Sequence, residues 1–154
     1  MTALEKGLIL AGAQVAMVFS LGGKLLLDRA SLPRVWVKTA PVDPNLPIRG
    51  RYVSLRLMTE VRGFPPGTMY AAAQLSAQDG KLVARPAEDS NVHVIFGTPS
   101  ISEPVAYFIP EHVPDPSRRA LGEELWVEVT VPRRGPPRPL RLGVKKNGVL
   151  TPLE

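Results

Sequence analysis

A chain of 154 residues, 44% of them hydrophobic, is long enough for one domain with a real core and too short for two comfortable ones. It has no cysteine, which excludes disulfides, cysteine-ligated zinc and thiol nucleophiles, and its 17 prolines direct the chain towards loops and strand edges. The 19 Lys and Arg against 14 Asp and Glu leave a net charge of +5, but no interleaving of basic and aromatic residues accompanies it, so a nucleic-acid partner is not expected.

The first element is LILAGAQVAMVFSLGGKLLL, residues 8–27. A helix of that length spans about 30 Å, the thickness of a bilayer's hydrocarbon core. Only Gln14, Ser20 and Lys24 are polar inside it, and Lys24 lies close enough to the end to reach the interface. The expectation is a single-pass membrane anchor over residues 1–31. Two alternatives remain: a secretory signal peptide, though LLLDRAS puts charges where small residues are wanted, and a buried soluble helix. Gly12, Ala16 and Ser20, followed by Lys24, recur every four residues along one face, the arrangement that lets a second membrane helix pack closely. Lys6 and the amino terminus on one flank, against Arg29, Arg34 and Lys38 on the other, tilt the charge count towards a cytoplasmic globular part.

Beyond residue 33 the periodicity changes from helical to alternating. VWVKT at 35–39 and YVSLRLM at 52–58 read as strands, with Val53, Leu55 and Leu57 on one face and Tyr52, Ser54 and Arg56 on the other. Residues 70–86 form two runs around Asp79-Gly80, a pair suited to a type I′ hairpin turn, although the alanines at 71–73 also suit a helical turn. Further strands are expected at 92–96, 105–109, 125–131 and 140–144, the last returning through Asn147-Gly148. PSRRALGEE, 116–124, reads as a polar loop or short helical turn. The pattern is mainly β: an antiparallel sandwich or partly open barrel over residues 32–154, behind the anchor.

Little in the sequence resembles a reaction centre. His93 and His112 have no histidine three or four residues away, so metal ligation is not indicated and no cofactor is expected. Glu111 with His112 or Ser54 is the one set from which a hydrolase could be assembled, but adjacent residues on an extended chain point apart. A basic ending, Arg133, Arg134, Arg138, Arg141, Lys145 and Lys146, is either a solvated face or a surface for anionic lipid.

Two stretches carry a family likeness. TAPVDPNLPIRGRYVSLRL, 39–57, resembles the opening motif of the GDYXXLXY family of bacterial membrane-anchored proteins, with Gly50, Arg51, Tyr52, Leu55 and Leu57 at the motif positions. YFIPE, 107–111, is similar to a later element of that family, which places Pro110 and Glu111 in its motif. Arg51 stands where the family has aspartate, and Leu57 where it has tyrosine. The resemblance implies a single-pass anchored domain outside the cytoplasm, of unknown activity, often found beside polytopic membrane proteins; a loose label links some members to regulation of a starch-degrading enzyme. The arginine in place of aspartate argues for a structural motif.

Together these readings lead to a non-enzymatic, membrane-anchored β-domain that binds or regulates a membrane or envelope protein. A hydrolase and a soluble ligand-binding barrel are the alternatives. The prolines, Gly50 and Tyr52 are expected to form a corner launching a core strand, and the Glu111 carboxylate to pair with Arg49, Arg51 or Arg56.

Overall fold

The computed structural model describes residues 2–42 and 51–153, and the chain falls into two compact units, 1–32 and 33–154. The first is one helix, α1, Ala3–Ser31. Thr2 caps it: its Oγ1 accepts the Glu5 N–H at 3.3 Å while the Glu5 carboxylate accepts the Thr2 N–H at 2.8 Å. Glu5 in the first turn and Arg29 in the last match the helix dipole. With 29 residues, α1 is about 44 Å long and exceeds the expected 8–27 span at both ends. Residues 4–31 form an exposed helix long and apolar enough to cross a membrane.

The second unit is built from strands β1 (Arg34–Val42), β2 (Tyr52–Leu57), β3 (Glu60–Val61), β4 (Tyr70–Gln78), β5 (Lys81–Pro86), β6 (His93–Ile95), β7 (Ser100–Ile101), β8 (Val105–Phe108), β9 (Glu123–Thr130), β10 (Arg138–Lys146) and β11 (Val149–Pro152). They form two sheets, ordered β11-β10-β9-β1-β2-β8 and β3-β5-β4-β6-β7, with no closed barrel. Every pairing is antiparallel except the short β3–β5 contact. Both hairpin turns read from Asp-Gly and Asn-Gly are present: Asp79 and Asn147 hold φ of 51° and 50°, with Gly80 and Gly148 also in the left-handed region. The alanines at 71–73 belong to β4, whose ladder with β5 and β6 overrides any helical preference. Residues 116–122 form turns, without a helix.

Alternation decides the core. Val35 and Val37 of β1, Val53, Leu55 and Leu57 of β2, and Leu125, Val127 and Val129 of β9 point inward, meeting Leu75, Leu82 and Val94 of the other sheet. Leu55, Leu57, Val94, Val127 and Val129 have no accessible surface. The edge strands β3 and β7 were not anticipated from the sequence, since two-residue strands carry no periodicity of their own.

Candidate functional site

The two family-like stretches are neighbours. β2 and β8 pair antiparallel, with Tyr52 opposite Phe108 and their rings 6.0 Å apart. The Ile109 N–H donates to the Arg51 carbonyl at 3.0 Å, and Arg51 Nη1 donates to the backbone carbonyl of Glu111. For Arg51 the expected pair with the Glu111 carboxylate does not form: the arginine takes the carbonyl, and the Glu111 side chain is exposed. The Ser117 hydroxyl, then its amide, hold the Asp115 carboxyl below its ordinary pKa, with smaller contributions from the Arg118 and Arg51 charges. Arg56 lies opposite Ala40, with its Nε buried and, among the described residues, without a hydrogen-bond partner. Pro41 belongs to β1, opposite Leu55, whereas Pro44, Pro47, Arg49 and Gly50 lie outside the described residues.

Leu55 and Leu57 of the motif are core residues, and Pro110 is exposed. Ser54 sits on β2 opposite Ala106, and His112 is exposed beyond the end of β8. Glu111, His112 and Ser54 share no hydrogen bond among the described residues, and none of them lines a cavity described below. His93 stacks flat on Tyr70, with ring centroids 4.9 Å apart. Among the described residues no group of His, Asp or Glu could hold a metal ion. On α1, Gly12, Ala16 and Ser20 are exposed; Ser20 Oγ donates back to the Met17 carbonyl at 2.9 Å, and among the described residues a side chain added at Gly12 would meet open space.

A different region carries the most developed surface geometry. Since Val35 and Val37 point inward, Trp36 between them must point outward, and the same reasoning turns Trp126 out of β9 between Leu125 and Val127. The register sets Trp36 opposite Glu128 and Trp126 opposite Lys38. A shift of register between Pro139 and Arg141 brings Arg141, in place of Leu140, opposite Glu128. Arg141 then donates to the buried Glu128 carboxylate at 2.7 Å and lies 5.4 Å from the Trp36 ring centre. Trp36 also covers Gly143: a Cβ there would lie 2.8 Å from the indole, so only glycine fits.

Trp126 is framed in the same way. Lys145 Nζ lies 4.6 Å from its ring centre, and its Nε1 donates to Glu124 at 3.1 Å, while Lys38 meets the other Glu124 oxygen at 2.5 Å. The Lys38 hydrogen bond, then that of Trp126, holds the Glu124 carboxyl below its ordinary pKa. Beside this array β2 leaves the sheet. Its last backbone bond runs from the Met58 N–H to the Lys38 carbonyl at 3.0 Å, and the chain then crosses to β3. The departure opens a groove of about 520 Å³, a size typical of ligand sites. Trp36, Trp126, Met58, Val61, Leu82 and Pro99 give it a mainly apolar lining. Glu60, at the rim, is tied to Arg62 at 2.7 Å and Lys81 at 3.3 Å, and these hydrogen bonds hold its carboxyl low, Arg62 first.

The sequence carried a signal for this site that motif searching passes over. The chain has only two tryptophans, and both occupy the outward position of a strand between buried aliphatics. What the sequence could not show was that β1 and β9 would be neighbours. Comparison with protein families, with characterised proteins and with solved structures finds no match to this chain.

Proposed function

We propose that the protein is a single-pass membrane-anchored β-sandwich acting as a binding module, which receives an apolar segment of a membrane or envelope protein in the groove between Trp36 and Trp126. The observation that carries this reading is the placement of both tryptophans, outside the core, at an apolar groove left by the departure of β2. Aromatic side chains supply large contact areas at small entropic cost, which is why they dominate binding surfaces. The apolar, exposed α1 supports the anchor, and its open Gly12–Ala16–Ser20 face suits a second helix of the same partner. The likeness to the GDYXXLXY family adds the polytopic neighbour and an extracytoplasmic position for the sandwich.

Because the chain lacks cysteine, a single Met58→Cys substitution gives a unique cross-linking handle in the groove. In native membranes the expected result is a discrete adduct from position 58, absent in W126A and absent from a handle at the exposed Leu121. Adducts independent of Trp126 would overturn the groove as the binding surface. Persistence of the adduct in a G12L/A16L variant would remove the helix from recognition. A carboxyl-terminal reporter active in only one compartment tests the side of the membrane.

A further inference from the structure

We propose that the loop between β9 and β10, Pro132–Pro137, docks on anionic lipid headgroups through Arg133 and Arg134, holding the sandwich against the bilayer that α1 enters. The inference rests on the membrane-anchored reading of α1. It begins with connectivity. The Val131 N–H donates to the Pro33 carbonyl at 3.0 Å, so the start of the loop is fastened to the first residue of the second unit. Only Leu32 separates Pro33 from Ser31, the last residue of α1. A trans chain keeps Pro33 within about 7 Å of that residue whatever the angle between helix and sandwich. If α1 spans the bilayer, this end of the sandwich borders its headgroups.

The loop is built to present charge there. Pro132 and Pro137 are buried and fix φ at both ends, while Gly135 turns the chain with φ of 88°. Gln74 Nε2 donates to the Arg133 carbonyl, pinning the backbone. Arg133 and Arg134 are thereby left exposed, and among the described residues neither guanidinium makes an ion pair or hydrogen bond. Asp89 lines the same cavity as Arg134. Arg34 and Arg138, both opposite Thr130, lie at this end of the sheet as well, but each is already engaged within the protein.

The rest of the basic ending behaves differently. Arg141 is bound to Glu128, Lys146 to Glu123 at 3.2 Å, and Lys145 lies on Trp126. The charges available to a lipid phosphate are therefore those of Arg133 and Arg134. Guanidinium is well matched to such a phosphate, since its paired N–H groups can bind two oxygens at once.

The test uses the full chain in lipid nanodiscs, with Pro136→Cys carrying an environment-sensitive fluorophore on the exposed side of the loop and Leu121→Cys as a second labelling site. Adding phosphatidylglycerol to phosphatidylcholine discs is expected to shift and brighten emission at 136 and leave 121 unchanged, and raised salt is expected to reverse the change. R133Q/R134Q is expected to lower the docked fraction about tenfold or more, with tryptophan emission and thermal melting unaltered as the check on folding. Equal emission at 136 in neutral and anionic discs overturns the proposal, as does a response that survives R133Q/R134Q. A chain that does not co-purify with discs refutes the anchor itself, which separates the two failures.

Discussion

The six-stranded sheet has two ends with different characters. At the β2–β8 end lie residues 51–57 and 107–111, where Arg51 binds a carbonyl and Leu55 and Leu57 fill the core. Around β1, β9 and β10 no motif is visible, yet two tryptophans, a glycine shaped to one of them and a set of ion pairs surround an apolar groove. A short word in a sequence can thus mark a core strand, whereas a surface site can arise from residues about ninety positions apart that register brings together.

This contrast can be broken most forcefully through the core. Leu55→Ala is expected to lose about 2–5 kcal/mol, read by thermal or denaturant unfolding of the full chain in detergent; a loss well below that range would deny the motif its structural role. Gly143→Val comes next, with an expected loss of about 1–3 kcal/mol because its side chain would collide with Trp36. Valine is ordinarily favoured in strands, so unchanged or increased stability with unchanged tryptophan emission would show that Trp36 does not pack there.

A gentler probe is acid. The Lys38 and Trp126 hydrogen bonds depress the Glu124 pKa below its ordinary 4.5. The unfolded chain therefore takes up protons first, and the contribution of this carboxylate is complete above about pH 4.5 and lost as pH falls through the lower folded value. Tryptophan emission is expected to change in that acid range before global unfolding, and Glu124→Gln to abolish the step; a step that remains in the variant would point to another group. The smallest effects separate the two partners at the motif end. Arg51→Ala is expected to cost about 0.5–1.5 kcal/mol, and Glu111→Gln less than about 0.5 kcal/mol, since among the described residues Arg51 engages the Glu111 carbonyl and leaves its exposed carboxylate alone. Equal losses would mean that the carboxylate takes part.

Legibility followed the range of the interaction. Strands with a clear period of two, such as β2, and turns with Asp-Gly or Asn-Gly could be read directly, because alternation and positive φ are properties of a few adjacent residues. β3 and β7, whose pairing alone defines them, could not. The attachment of Arg51 to a carbonyl was equally out of reach, because residue types suggest charge pairs and say nothing about which backbone oxygen will be presented.

The sequence by itself determined an apolar helix of membrane-spanning length followed by a mainly β domain, its two Asx-Gly hairpins, and which face of most strands would be buried. Hydropathy and local backbone preference suffice for these. Tertiary structure decided that β9 lies between β1 and β10, that a register shift brings Arg141 beside Glu128, and that β2 departs at Met58 to open the groove. It also decided that Arg141, Lys146 and Lys145 are tied down while Arg133 and Arg134 are left exposed. These features depend on pairing between segments far apart in the chain, where the free energy of the whole assembly, and no local preference, selects the neighbour.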